Sequence, residues 1–165
     1  MLNEIDFRMA TLDDANAISQ LILNLADFFL VKPRDEQTEP FLATMNEDSI
    51  AKLIATPSFS YWVAFDRSGI KGVIALRDHS HVYHFFVSEA YQRQGIAREL
   101  WKRAKGHAML QGGSSRFTVN SSLFAVPVYE ALLFQKEGGA VEKNGIAFVP
   151  MKHEIPPLNQ PPSEQ

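Results

Sequence analysis

The amino-acid sequence predicts an α/β domain built around a mixed β-sheet. Three observations support this class. Segments that alternate apolar and polar residues, as strands do, are interleaved with segments in which apolar residues recur every three or four positions, as in helices. Two tight-turn signals, Asp66–Gly69 and Asn144–Gly145, each separate a pair of strand-like segments. The length of 165 residues fits one domain with a single substantial core.

The predicted elements follow the order strand, two helices, three strands, helix, strand, helix and two strands. Thr11 suits the N-cap of the first helix because acidic residues, which favour a helix start, come directly after it. The second helix ends before Pro57, and Gly112 and Gly113 end the long third helix. The predicted helices cover 11–25, 48–55, 95–110 and 126–134, and the predicted strands cover 5–9, 61–65, 70–76, 81–87, 116–120 and a pair within 139–151.

Two segments are predicted to lie outside regular structure. Residues 32–40 are polar with two prolines and are interpreted as a loop. Residues 154–165 contain four prolines in twelve positions and little to bury, so we expect a disordered tail after a domain that covers 1–153.

Composition excludes several classes of function. The chain has no cysteine, so it has no disulfide, no thiolate nucleophile and no cysteine-based metal site, which suits the reducing cytoplasm. No apolar run reaches the roughly 20 residues that cross a bilayer, and the first eight residues lack a signal-peptide layout. The net charge of -3 argues against a nucleic-acid partner, because the only dense basic patch spans 93–105 and suits a small phosphorylated ligand.

The junction between the strand over 81–87 and the helix that begins at Gly95 has the properties of an anion site. The first N–H groups of a helix have no internal partner, and the helix dipole adds partial positive charge there. Gly95 and Ala97 leave room for a phosphate near the main chain, and Arg93 and Arg98 add formal charge. The spacing matches neither a dinucleotide-binding glycine pattern nor a nucleoside-triphosphate loop. It therefore predicts a pyrophosphate cradle of another kind.

Three motifs in one order resemble the GCN5-related (GNAT) acetyltransferase superfamily. Gln92, Gly95 and Ala97 match the family pattern [Q/R]-x-x-G-x-[G/A] between a strand and a helix. The stretch Asn120–Phe134 is similar to a later family motif with an asparagine, an alanine and a Tyr-Glu pair, although Leu133 replaces the usual glycine before the phenylalanine. The opening, Phe7–Ala15, also resembles a usual family start. The resemblance covers most of the chain between Ile5 and Met151.

This resemblance implies a fold, an activity and partners. The fold would be the GNAT fold, a central mixed and mostly antiparallel sheet flanked by helices. The activity would be acetyl transfer from acetyl-CoA, as co-substrate, to a primary amine of a small molecule, peptide or protein by direct attack in a ternary complex. Homodimerisation is frequent in the family and is expected here, without membrane or nucleic-acid partners. A non-catalytic acyl-CoA sensor is the alternative, and an RNA-directed acetyltransferase would need a basic face that this acidic chain lacks.

The resemblance also assigns site residues by position. The main chain at the end of the strand would pair with the pantetheine arm, the following loop would donate to the pyrophosphate, and an asparagine would bind the cofactor arm. Tyr129 matches the tyrosine that often protonates the departing CoA thiolate. The implied cofactor-binding residues are Phe85, Phe86, Val87, Gln92, Arg93, Gln94, Gly95, Ile96, Ala97 and Asn120.

Two histidines on the strand are candidates for the general base, because histidine titrates near neutral pH. Plain alternation places His81 and His84 on opposite faces, and a β-bulge would change that phase. Some relatives carry a carboxylate base six residues before the last apolar residue of this strand, and here that position is His81, which favours His81 over His84. No metal site is predicted, because no metal-ligand spacing accompanies these histidines.

The acceptor is not specified by a motif. In the family it is set by the segment that corresponds to 32–56, which here contains a run of acidic residues. A charge run of this kind is usually a solvated face, and the alternative is that it indicates a cationic acceptor such as a polyamine or lysine. Glu39 and Glu47 are the members placed to line an acceptor pocket, and the other acidic residues are Asp35, Glu36 and Asp48.

Overall fold

The computed structural model describes residues 4–112 and 115–156. Over these residues the chain forms eight strands and six α-helices. The strands are β1 (Asp6–Met9), β2 (Phe59–Asp66), β3 (Gly69–Arg77), β4 (His81–Val87), β5 (Arg116–Ser121), β6 (Gln135–Lys136), β7 (Val141–Lys143) and β8 (Ile146–Glu154). The helices are α1 (Ala15–Asn24), α2 (Ala26–Phe29), α3 (Glu39–Ala43), α4 (Glu47–Ile54), α5 (Ile96–Leu110) and α6 (Val126–Ala131).

The sheet confirms the predicted α/β class with a mixed, mostly antiparallel sheet. Its order is β1-β2-β3-β4-β5-β8-β6, and β7 adds a short hairpin to β8. Among the described strands, only β4 and β5 are parallel neighbours, and they pair at just two positions, His81 with Thr118 and Val82 with Val119. Beyond Val82 the two strands diverge, so the sheet opens at its centre.

Helices cover both faces of the sheet and enclose two apolar clusters. Helix α5 packs over β2 and β3, with Leu100, Trp101 and Phe117 in the cluster on that face. Helices α1 and α4 cover the other face, where Ile18 and Ile50 are fully buried. Both faces of the sheet are thus protected from water, as the predicted helix periodicity requires.

A single glycine sets how closely α5 approaches the sheet. A Cβ at Gly72 would lie 3.0 Å from Leu100 Cδ1 and 3.2 Å from Ile96 Cγ2. Contacts this short are rarely tolerated in a close-packed interior. Gly72 therefore lets the first turn of α5 sit directly on β3, which fixes the start of that helix beside the central opening.

Both predicted hairpins are confirmed. Arg67 and Ser68 connect β2 to β3, and Asp66 Oδ1 accepts hydrogen bonds from the Ser68 N–H at 2.8 Å and the Ser68 hydroxyl at 2.7 Å. Asn144 and Gly145 connect β7 to β8 with φ values of 54° and 80°. Positive φ at both central residues is the geometry of the type I′ turn that Asn-Gly favours.

Several predicted boundaries differ from the observed ones. The helix predicted over 11–25 becomes a 3-10 turn at Leu12–Asp14 followed by α1, and α2 continues the chain after a break at Leu25. The helix predicted over 126–134 ends at Ala131, because Leu133 takes a left-handed φ of 71°. Helix α3 lies partly in the segment predicted as a loop, and β6 was not predicted.

The predicted boundary of the tail also shifts. Glu154 is the last residue of β8, and the Ile155 N–H donates to the Ser115 carbonyl at 2.7 Å. The prediction of disorder over 157–165 lies outside the described residues. Within the described ranges, no helix is long and apolar enough to cross a membrane.

Candidate active site

The divergence of β4 from β5 opens a cleft of about 1320 Å³ through the centre of the molecule. Every residue of β4 lines it, together with the start of α5, most of α6 and parts of α2, α3 and β8. Its volume exceeds the roughly 300 to 1,000 Å³ that is usual for small-molecule pockets. Apart from Gln94, all residues predicted to bind a cofactor or to act in catalysis line this one cleft.

Strand β4 presents its main chain to the cleft. One edge of β4 pairs with β3 from His81 to Val87, whereas its other edge pairs with β5 only at its first two residues. The peptide groups that point away from β3 between Tyr83 and Val87 therefore face the opening. This is the arrangement that the prediction for Phe85, Phe86 and Val87 requires, since an extended ligand can add to a free strand edge.

The loop after β4 turns its amides outward. Arg93 and Gly95 have φ values of 64° and 83°, and Gly95 is the N-cap of α5. None of the six main-chain N–H groups from Arg93 to Arg98 donates to an acceptor among the described residues. A Cβ at Gly95 would meet no atom of the described residues within 4 Å, so they leave the space in front of it open. Consecutive free amides at a helix start form a concave site for an anion.

Gln92 differs from the other loop residues predicted to bind phosphate. Its N–H donates to the Glu89 carbonyl at 3.3 Å, and its Nε2 donates to the Val87 carbonyl at 3.0 Å. Both groups are therefore engaged within the protein. The geometry supports a positioning role for Gln92, which ties the loop to the end of β4. Tyr91 reinforces the same loop by donating its hydroxyl to Asp66 Oδ2 at 3.2 Å, a contact that the sequence did not reveal.

Tyr129 projects from α6 toward β4. Its ring packs edge-on against Phe85 at 5.8 Å and against Phe134 at 5.4 Å between centroids. Burial raises the pKa of Tyr129, so its hydroxyl keeps its proton at neutral pH. That hydroxyl makes no hydrogen bond to any described residue, although the side chain lines the cleft. Asn120, which is exposed on β5, likewise lines the cleft with its amide uncommitted among the described residues.

A β-bulge in β4 determines where the two histidines point. The register pairs Ala75 with His84 but Leu76 with Val82, so Tyr83 is the extra residue. His84 Nδ1 lies 3.0 Å from the Tyr61 hydroxyl, and His81 Nδ1 lies 2.7 Å from Thr118 Oγ1. Tyr61 belongs to the apolar cluster on the face covered by α1 and α4. The two chain neighbours of Thr118 belong to the cluster on the α5 face, so strand alternation places Thr118 on the same face as Tyr61. The bulge therefore brings both histidines to one face, which plain alternation would not.

The two histidines differ in burial and in pKa. His84 is 7% exposed, and burial lowers its pKa to about 4. His81 is half-buried, and desolvation, assisted by the Arg77 charge, lowers its pKa below the usual value. Both imidazoles are consequently neutral at pH 7, the state in which a base accepts a proton.

Away from the loop at Gly95, the segment after α2 contacts the hairpin between β7 and β8. The Val31 N–H donates to the Gly145 carbonyl at 3.0 Å, and Leu30 forms a β-bridge with Ile146. Aromatic rings from distant parts of the chain fill the space beneath this junction. The ring pairs are Phe28 with Phe124 at 4.8 Å, Phe29 with Phe86 at 5.7 Å and Phe29 with Phe41 at 6.0 Å. No motif pointed to this aromatic wall.

The charges around the cleft have one sign. Among the described residues that line it, the charged side chains are Arg77, Arg93, Arg98 and Lys143, and none is aspartate or glutamate. Glu39 and Glu47, which were predicted to line the acceptor pocket, do not do so; Glu47 instead accepts a hydrogen bond from Asn16 at 2.9 Å. Within the described part of the chain, no group of three metal-ligating side chains is found.

Comparisons with known proteins point to one family. The model of the acetyltransferase (GNAT) domain matches residues 29–155. N-acetyltransferase family 8 member 3 of Rattus norvegicus is 29% identical over 133 residues, which are 73% of this chain and 58% of the rat protein. The chain thus spans little more than half the length of that relative.

Solved structures share the fold at low sequence identity. A GCN5-related N-acetyltransferase from Rhodopseudomonas palustris superimposes with a TM-score of 0.75 at 18% identity over 94% of this chain and 99% of its own. The PaiA N-acetyltransferase of Thermoplasma acidophilum, solved in complex with coenzyme A, has a TM-score of 0.73 at 14% identity over 92% and 99%.

Proposed function

Because the chain belongs to the GNAT acetyltransferase family, we propose that it transfers the acetyl group of acetyl-CoA to a primary amine by direct attack within a ternary complex. The observation that carries this proposal is the alignment of three uncommitted groups along one cleft. These are the free amides of the loop from Arg93 to Arg98, whose residues line the cleft except for Gln94, the free edge of β4 and the Tyr129 hydroxyl.

The residues present fit an acyl-CoA. Amides from Arg93 to Arg98, with the charges of Arg93 and Arg98, suit a pyrophosphate. The edge of β4 suits the amide-containing pantetheine arm, and Asn120 on the facing strand offers a further donor and acceptor. Acetyl-CoA supplies the activated thioester when it is bound. Gln92 and Tyr91 hold the loop in place, so its amides are oriented before the ligand arrives.

The chain's own residues then cover the remaining needs of acyl transfer. A peptide N–H on the free edge of β4 stabilises negative charge on the carbonyl oxygen. The Tyr129 hydroxyl, protonated at neutral pH, donates a proton or a hydrogen bond to the leaving sulfur. Contact of its ring with Phe85 keeps this hydroxyl close to the strand that holds the reacting group.

We assign the general base to His81. An amine acceptor has a free pKa of about 10.4 and must lose a proton before it attacks. The imidazole of His81 is half-buried at the cleft, so it reaches both the acceptor and solvent, whereas His84 is almost wholly enclosed and engaged by Tyr61. When Nδ1–H of His81 donates to Thr118 Oγ1, its Nε2 carries the lone pair that accepts the proton.

Two measurements on the purified chain test this function. Calorimetric titration with CoA is expected to show one site per chain, and release of free CoA from acetyl-CoA is expected to depend on an added amine. Failure to bind CoA contradicts the whole proposal. Binding without amine-dependent release favours the alternative, an acyl-CoA sensor. Sedimentation of the same sample tests the predicted homodimer, and localisation in the cytoplasm stays a prediction.

A further inference from the structure

Of the two interpretations of the acidic segment, the structure favours the solvated face over a cationic acceptor site. All five acidic residues between Asp35 and Asp48 are exposed, and none of them lines the cleft. Asp35 is engaged by Lys32 at 2.9 Å, and Glu47 by Asn16. The acidic run is therefore a solvated surface on α3, α4 and the segment before α3, and it does not line the cleft.

The surface that does line this end is apolar and largely aromatic. It contains Phe28, Phe29 and Phe41 from α2 and α3, Phe86 from β4, Phe124 and Phe148. Phe124 is 53% exposed, four of the others are partly buried, and only Phe29 of the six is buried. Exposed aromatic side chains grouped in a concave site are a frequent feature of ligand binding, because covering them removes apolar area from water.

The charged and titratable groups at this end disfavour a second positive charge. Arg77, at the end of β3, lines the cleft beside His81, and Lys143 lies at the β7 end. Asp78 offsets Arg77 only weakly, at 3.9 Å between two exposed side chains. His84 and Tyr83 also line the cleft, and neither carries a negative charge at neutral pH. A cation held here would lose water without gaining a carboxylate partner from the described lining.

From these observations, and resting on the proposed acetyl transfer, we propose that the acceptor is a primary amine on an apolar, aromatic body with no second positive charge. Polyamines and lysine-like diamines are excluded as preferred acceptors. The aromatic wall binds the body of the acceptor, while His81 faces the amine. The single ammonium is neutralised as it reacts, so the absence of a counter-ion in the lining costs nothing once the proton has left.

A matched pair of amines tests this directly. Hexylamine and 1,6-diaminohexane have the same chain and differ only in the second ammonium. We expect kcat/KM for hexylamine to exceed that for the diamine by at least about tenfold, and 2-phenylethylamine to be better than either. Equal or better turnover of the diamine, with CoA binding intact, overturns this inference and leaves acetyl transfer standing. Loss of CoA binding would instead contradict the proposed function itself.

Variants locate the preference in the aromatic wall. Phe41→Ala is expected to lower kcat/KM for 2-phenylethylamine about tenfold without changing CoA affinity. Phe65→Ala, which removes another partly buried phenylalanine outside the cleft, is the control and should leave amine preference unchanged. Thr44→Glu places a carboxylate in the lining and is expected to raise relative use of the diamine about threefold over Thr44→Gln. An unaltered preference in both Phe41→Ala and Thr44→Glu would contradict the assignment of this wall.

Discussion

The two ends of the cleft are built from different parts of the polypeptide. The proposed donor end, around Gly95, consists of main-chain amides supplied by one short loop between β4 and α5. The proposed acceptor end consists of aromatic side chains from α2, α3, β4, β8 and the segment before α6, which are distant in sequence. A main-chain site places few demands on side chains, so a short pattern can mark it. A side-chain wall depends on packing between these segments, so no short pattern marks it.

The largest effect on turnover is expected at Tyr129. Tyr129→Phe removes the proposed acid while keeping the ring contacts with Phe85 and Phe134. We expect kcat to fall about 10³-fold, since general acid–base groups contribute roughly 10² to 10⁴. Steady-state kinetics measure this change, and CoA titration should show unchanged affinity. A variant with normal turnover would remove Tyr129 from the mechanism.

Lower pH should destabilise the folded protein through His84. Its pKa is about 4 in the folded protein and about 6.5 when unfolded, so the unfolded state binds the proton more readily. This contribution is fully present above pH 6.5 and is lost as pH falls to about 4. The expected loss is about 3 kcal/mol of unfolding free energy, measured by urea denaturation.

The matching variant for this prediction is His84→Gln, which does not titrate. It should flatten the dependence of stability on pH between 4 and 6.5. An equally steep profile in the variant would show that other groups cause the loss.

A smaller effect is expected from a methyl group at the donor end. Gly95→Ala places a Cβ in the open space before the loop amides, at a φ of 83° that L-residues disfavour. CoA affinity should fall about tenfold and stability by about 1 kcal/mol. Gly106→Ala, in the middle of α5 with nothing near its Cβ, is the control. That change should stabilise the protein by about 0.5 to 1 kcal/mol and leave CoA affinity unchanged.

The smallest effect concerns the turn that follows Tyr129. Leu133 is 74% exposed and has a φ of 71°, a conformation that costs an L-residue about 1 kcal/mol. Leu133→Gly should raise the unfolding free energy by less than about 1 kcal/mol, because glycine also loses more chain entropy on folding. Thermal unfolding against Leu110→Gly, a change at an exposed leucine within α5, gives the contrast, since that variant should be less stable. Destabilisation in both variants would contradict the strain at Leu133.

The proposed donor end and most elements along the chain could be predicted from the sequence because they are encoded locally. The helix start at Gly95 and the Asn144–Gly145 turn each depend on a few adjacent residues, and both are confirmed. Local chemistry of this kind is visible in a single sequence. The left-handed conformation of Leu133 was not predicted, although the family pattern that the sequence resembles has glycine at this position.

The acceptor end could not be predicted, because it depends on packing between distant segments. The contact between Phe28 and Phe124 joins residues 96 positions apart, and no periodicity marks it. The sequence left two alternatives for Glu39 and Glu47, a pocket lining and a solvated face, and the structure supports the solvated face because both residues are exposed outside the cleft. A bulge in β4 was considered from the sequence, but its position at Tyr83 follows only from the register of β4 with β3.

Amide chemical shifts measured by NMR during titration with CoA test the central claim most directly. The account predicts that the largest shifts occur at the N–H groups from Arg93 to Arg98, which have no acceptor among the described residues. Pantetheine, which lacks the phosphates, should leave these amides nearly unmoved while shifting those of β4. Shifts confined to other parts of the chain, or equal responses of the loop to both ligands, would contradict a pyrophosphate held by these amides.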